Sequence, residues 1–358
     1  MPMLAERVEV VIGVDTHKHT HTAVVVAASG ARLAEVTVTA DPTGYAELIA
    51  LAQAHGQLRA WAIEGAGSYG AGLAAALHAR DELVVEVARP KRPPRRRGAK
   101  SDALDAERAA RETLVRCELG APRQGPERAA LAQLLVVRES AVQASGDAQR
   151  QLHAAVLTAP EQVAARFRGH STRAMVDIAA RLRPSAHHAQ IAVFTAMSAL
   201  KALAGRIRDL DAEADRHQKA INTIVKSWRP DLLALRGVGP IVAATVLAAW
   251  SHTGRCRDEG AFAMLAGAAP IPASSGQTVR HRLNRSGDRQ LNRMIHTIVL
   301  TRLRSDPATR AYVERRTSEG RTPREIRRCL VRYVARQLFR QLENPPHNKI
   351  NNPATAAD

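Results

Sequence analysis

Residues 8–39 read VEVVIGVDTHKHTHTAVVVAASGARLAEVTVT. Three β-branched runs stand in this stretch, at 8–14, 21–28 and 31–39, separated by short polar segments that suit turns. They predict three consecutive strands, a β-meander. Outward from it, TGYAELIALAQAH (43–55) predicts a helix and RAWAIE (59–64) a fourth strand. The glycine-rich GAGSYGAG then breaks the pattern and leads into the helix LAAALHARD. A last strand is expected at 83–88 (LVVEVA), and a helix on SDALDAERAAR.

Three strands, helix, strand, helix, strand, helix is the order of the ribonuclease-H-like fold. Four acids fall at telling places in that order. Asp15 ends the first strand, Glu64 ends the fourth, and Asp102 and Asp105 lie three apart on the late helix, where their carboxylates share one face. Taken singly, each acid reads as a surface carboxylate. Taken together, they repel one another unless a cation holds them, and hard divalent ions prefer oxygen ligands. Two such ions, Mg²⁺ (or Mn²⁺), would activate an attacking oxygen and stabilise a leaving one.

Against these acids stands a chain of 358 residues with formal net charge +18. Lys plus Arg number 52 against 34 Asp plus Glu, an excess that suits a polyanionic partner. No long uncharged apolar segment and no export signal stands in the sequence, so nucleic acid is favoured over a membrane surface. Three widely spaced cysteines without a CxxC pair exclude a cysteine zinc ribbon, and a bacterial, nucleoid-associated cytoplasmic protein is expected.

The basic charge is clustered. RPKRPPRRRGAK (89–100) carries seven basic side chains, three prolines and no acid. It reads as a solvated loop or as a phosphate-gripping one. Its place directly before Asp102 favours the second, with Arg95, Arg96, Arg97 and Lys100 as contacts. Aromatic residues make up only 3%, so backbone charge contacts rather than base stacking should dominate.

From about residue 126 the character becomes helical, with apolar residues at three- and four-residue spacing. A helical hairpin, a coiled-coil arm and an ordinary bundle all fit it. LLALRGVGPIVAATVLAAW (232–250) looks like a helix-hairpin-helix element, with Gly237 and Gly239 allowing a tight turn and Pro240 opening the second helix. In such elements hairpin amides face a DNA phosphate. In AGAAPIPASSGQTVRHRLNRSGDRQLNR (266–293), Ser274 and Ser275 precede Gly276, and Arg280, Arg282 and Arg285 follow closely. Composition alone favours a plain turn; the basic density raises the alternative of a hydroxyl that attacks a phosphate. Near the end, Arg324, Arg328, Arg332, Arg336 and Arg340 form a stripe on an amphipathic helix. Such a stripe fits a solvated face and a nucleic-acid face equally.

GVDTHKHTHTAVVV, IEGAGSYGAGL, RRRGAKSDALDAERAAR, LRGVGPIVAATVLAAW, the 261–293 segment and REIRRCLVRYVARQLF resemble, in order, the DEDD transposases of bacterial insertion sequences, the insertion-sequence 110 family of bridge-RNA-guided recombinases. The resemblance runs from about residue 8 to residue 340, the middle fitting only as generic helix. It implies a RuvC-like catalytic domain over 1–125, a helical coiled-coil linker over 126–228, a C-terminal transposase domain over 229–343 and a disordered tail at 344–358. The family's acidic tetrad falls on Asp15, Glu64, Asp102 and Asp105. Its nucleophilic serine falls on Ser275, with Ser274 the neighbouring hydroxyl. It further implies donor and target double-stranded DNA as substrates, a structured guide RNA, and homodimers that pair into tetramers. Two other functions are weighed beside it: a RuvC-like nuclease that uses water, and a non-catalytic nucleic-acid-binding remnant. An actin-like kinase or ATPase would need further glycine-rich phosphate motifs, which the sequence lacks.

Overall fold

The computed structural model describes residues 2–87, 101–185, 190–273, 281–282, 284 and 286–345. Its contacts divide the chain into two compact units. One takes in the residues up to Gly125 together with Ser251–Arg255, and the other takes the remainder.

The first unit holds β1 (Val10–Thr16), β2 (Thr20–Ala27), β3 (Arg32–Thr39), α1 (Pro42–His55), β4 (Arg59–Glu64), α2 (Ala71–His78), β5 (Leu83–Val87) and α3 (Asp102–Leu114). This is the element order expected from the sequence, and it makes an α/β layer around one mixed sheet. The strands lie in the order β3-β2-β1-β4-β5. β1 is antiparallel to β2 and parallel to β4, β2 is antiparallel to β3, and β4 is parallel to β5.

β1 is central and buried on both faces, which is why it reads as a near-continuous apolar run. Its side chains alternate. Val10, Ile12 and Val14 pack with Trp61 and Ile63 of β4 against Leu48, Ile49, Leu73 and Leu77 of α1 and α2. Val11 packs with Ala60 and Ala62 of β4 against Ala106, Ala109, Ala110 and Leu114 of α3. Small residues therefore line the α3 side and let that helix lie close to the sheet. The approach is closest at Gly13, where a Cβ would stand 1.9 Å from the carbonyl oxygen of Ala106.

Beyond β5 the chain covers the sheet edge, with the amide of Glu86 donating to the carbonyl of Gly120 at 2.7 Å. Ser251–Arg255 is tied to the same strip. Ser251, buried and at φ 80°, accepts from the Gln124 amide at 2.9 Å and donates to the Gln124 carbonyl at 3.1 Å.

The second unit is almost wholly helical. It holds α4 (Pro126–Thr158), α5 (Glu161–Ala164), α6 (Thr172–Ala180), α7 (Ile191–Trp228), α8 (Pro240–Trp250), α9 (Glu259–Leu265), α10 (Arg289–Ser305), α11 (Pro307–Ser318) and α12 (Pro323–Glu343). A two-residue pair, β6 (Ile271–Pro272) with β7 (His281–Arg282), lies before α10.

α4 and α7 run antiparallel. Arg138 meets Gln218 at 3.0 Å, and Ser145 donates to Asp211 at 2.6 Å one end further along. One apolar cluster joins Leu152, Phe167, Val176, Met197 and Leu200. The other gathers Leu131, Ile221 and Val225 with α8, α10 and α12. α8 is apolar all round and lies in the middle of that second cluster. The element before it is a single 3₁₀ turn, Pro230–Ala234, not an α-helix. Pro230 cannot continue the hydrogen bonding of α7, and Gly237, at φ 84°, makes the turn into α8. No helix among the described residues is long and apolar enough to cross a membrane.

A buried arginine holds this unit's ends together. Arg229 is 6% exposed and grips Asp231 through two bonds of 2.8 Å. It also donates to the carbonyls of Gln341 and Leu342, filling the open acceptors at the end of α12. Trp250 lies 5.8 Å beneath the guanidinium. Burial alone pushes the Asp231 carboxyl up, but hydrogen bonds from Arg229 and Gln341 outweigh it and hold the group below its ordinary value. Removing one partner of such a buried pair costs about 3–5 kcal/mol.

On α12, Ile326, Leu330, Val331, Val334 and Leu338 are buried, as the amphipathic pattern predicted. Two members of the arginine stripe are engaged within the protein. Arg332 and Arg336 both reach the carboxylate of Glu259, at 3.2 and 3.0 Å.

Candidate active site

The alternation of β1 that puts Val11 and Gly13 toward α3 puts Asp15 there as well. In β4 the same alternation sends Glu64 to the side of Ala60 and Ala62, and β1 and β4 pair in parallel with Val14 beside Ile63. The hydroxyl of Thr16 donates to the carbonyl of Glu64 at 2.7 Å and ties the two strand ends together. α3 begins above them. Ser101 caps it by accepting from the Leu104 amide, so Asp102 and Asp105 fall in its first turn, where negative charge is favoured by the helix dipole.

The structure thus draws the four acids of the sequence reading to one end of the sheet. Asp15 lies deeper than Asp102 and Asp105, with its side chain 13% exposed. Burial raises its pKa above the ordinary carboxylate range. His17 opposes that, while the charges of Asp102, Glu64 and Asp105 each push it higher. Asp105 is partly neutralised by Arg108 on the next turn, at 3.2 Å. Four acids therefore meet within a small volume, with His17 and Arg108 beside them. The arrangement fits a hard divalent cation, which would relieve the crowding through oxygen ligands.

The sequence reading missed His17. Its Nε2 stands 3.5 Å from Asp15 and 3.8 Å from Asp102. Donor atoms of Asp15, His17 and Asp102 all lie within 4.8 Å of one another, a group able to hold a metal ion. Its only signal was position, two residues past Asp15.

Among the other sequence candidates, Gly237 and Gly239 lie at the turn before α8, and a Cβ on Gly239 would meet open space. Arg282 is exposed on β7. Arg95, Arg96, Arg97, Lys100, Ser274, Ser275, Arg280 and Arg285 lie outside the described residues.

Comparison with known proteins gives two family matches. A model for transposases of the DEDD, IS110 type matches residues 12–159, which contain all four acids and His17. A model for the transposase IS116/IS110/IS902 family matches residues 230–314, which contain the Gly237 turn and Ser275. Among curated proteins, the insertion element IS110 uncharacterized 43.6 kDa protein of Streptomyces coelicolor is 28% identical over 167 residues, 46% of this chain and 40% of that one. The insertion element IS900 uncharacterized 42 kDa protein of Mycobacterium paratuberculosis is 32% identical over 131 residues, 35% of this chain and 31% of that one. The matched regions span less than half the length of either relative.

Proposed function

The chain belongs to the IS116/IS110/IS902 family of transposases, and we propose that it cuts and rejoins DNA strands during movement of an insertion sequence, with Asp15, Glu64, Asp102 and Asp105 as its metal-binding centre. The observation that carries this reading is the gathering of all four acids at one end of a ribonuclease-H-like sheet, with Asp15 pushed upward by burial and then by the charges of the other three. A divalent ion there, Mg²⁺ or Mn²⁺, would neutralise charge on the scissile phosphate and on the oxygens that attack and leave.

Ser275 is the proposed nucleophile. Its oxygen bonds to phosphorus as a phosphorus–oxygen bond of the DNA breaks, the serine proton is lost, and the leaving oxygen takes one up. Attack by a hydroxyl of the new partner strand reverses these events and frees the serine, so the ester stores the bond and no ATP is needed. Ser275 lies 170 residues past Asp105 in the chain, and the helices of 126–228 suit an arm that delivers it. On this reading 1–125 is the catalytic domain and 229–343 the serine-bearing one, with a helix-hairpin-helix-like turn at Gly237 and Gly239. The active species is a homodimer that pairs into a tetramer, guided by a structured RNA in a bacterial cytoplasm. Arg95, Arg96, Arg97, Lys100, Arg280, Arg282 and Arg285 grip phosphates.

The test is a nicked DNA substrate that traps the covalent intermediate. Wild-type protein and Ser274→Ala are expected to form a protein–DNA adduct resistant to denaturant, and Ser275→Ala to form none. Strand cleavage by Ser275→Ala at an undiminished rate, without adduct, would establish a nuclease that uses water.

A further inference from the structure

His17 stands at the acidic cluster and is not a member of the DEDD tetrad. It leaves β1 directly after Thr16, and its amide donates to the carbonyl of Thr20 at 3.0 Å, closing the tight turn into β2. That turn fixes the backbone, and the imidazole reaches the first turn of α3 at Asp102. Its Nε2 is 3.5 Å from Asp15 Oδ2 and 3.8 Å from Asp102 Oδ1.

We propose that His17 is a nitrogen ligand of the divalent ion held by Asp15 and Asp102, which makes this a mixed nitrogen–oxygen centre. The inference rests on the reading of the carboxylates as metal ligands given above. Neighbouring donors on one octahedral ion with bonds of about 2.1 Å stand roughly 3 Å apart, so rotation of a side chain that is 41% exposed brings all three into the same shell. The chemistry favours such a ligand. The cluster already crowds three carboxylates around Asp15, and an imidazole adds a ligand without adding another carboxylate. It also sets a preference. Imidazole suits borderline ions, whereas carboxylate and water suit Mg²⁺, so His17 biases the site toward Mn²⁺ relative to an all-oxygen cage.

Mn²⁺ alone, added to the full-length protein, tests this without reference to activity. Pulsed electron paramagnetic resonance of the Mn²⁺-loaded wild type is expected to show ¹⁴N modulation from one directly bound nitrogen. The modulation is expected to vanish in His17→Ala, and Mn²⁺ affinity to fall on the order of 10-fold or more while Mg²⁺ affinity falls less. His17→Asn keeps an oxygen donor at the position and is expected to recover part of the affinity without the nitrogen signal. Circular dichroism of each variant matching the wild type establishes that it is folded. Mn²⁺ binding that needs Asp15 but shows no ¹⁴N modulation, or modulation that persists in His17→Ala, overturns the role of His17 and leaves the carboxylate centre standing. Mn²⁺ binding that Asp15→Ala leaves unchanged, or none in the wild type, overturns both.

Discussion

Asp15→Ala is expected to reduce strand exchange by about 10³-fold or more while leaving DNA binding intact, because the lost group serves charge stabilisation at the reacting phosphate and not grip. Asp15 is the least exposed of the acids for which the geometry is defined, and it is the one on which the charges of Asp102, Glu64 and Asp105 converge. Removing that carboxylate removes the shared ligand of the group and relieves repulsion among the remaining anions, so the fold is not threatened. Binding depends on the wider +18 charge and should hold or tighten, since an unfilled carboxylate repels phosphate. Junction amplification measures exchange, and a salt titration of DNA binding measures grip. Asp105→Ala should behave alike; exchange at the wild-type level in that variant would remove Asp105 from the centre.

Gly13→Ala is the second large effect, and it acts through geometry. A methyl group there would meet the Ala106 carbonyl oxygen at 1.9 Å and backbone atoms of Ala106 and Ala110 at 2.9 Å. These are helix backbone atoms that cannot swing aside, so α3 must lift from the sheet by about 1 Å or more to regain ordinary contact. The helix carries Asp102 and Asp105 with it, and a displacement of that size costs roughly 10²-fold in rate. Overpacking costs stability too, about 1–3 kcal/mol. A urea melt should show an earlier midpoint, with strand exchange falling further than the loss of folded protein explains. Gly205→Ala is the control. That glycine lies in α7 with open space where its Cβ would go, so the change should stabilise by about 0.5–1 kcal/mol.

Much of the first unit was legible because its physics is local. β-Branched runs between turn-like segments named the strands, and the alternation of side chains along β1 and β4 sends Asp15 and Glu64 to one face. The helix expected around Asp102 and Asp105 is α3, which Ser101 caps so that both acids fall in its first turn. His17 was harder to read, since it is one of three alternating histidines in DTHKHTH and only its place two residues past Asp15 sets it apart; the structure brings its ring to Asp15 and Asp102. Arg229 was hidden for another reason. Its acceptors at Gln341 and Leu342 lie more than a hundred residues away, beyond any periodic pattern. The arginine stripe on α12 was read as a face open to water or nucleic acid, yet Arg332 and Arg336 turn to Glu259, a partner on α9 that no spacing could name. The turn before α8 shows the reverse error of emphasis. GVGP marked the bend correctly, but Pro230 shortened the element ahead of it to one 3₁₀ turn.

The most direct measurement is diffraction from crystals of the protein soaked in Mn²⁺ at a concentration that supports strand exchange, with data collected at the manganese absorption edge. The anomalous map is expected to carry a peak about 2–2.5 Å from carboxylate oxygens of Asp15 and Asp102, on the side of the sheet that Glu64 and α3 face. A map with no peak at those carboxylates would contradict a metal-dependent centre at the head of β1.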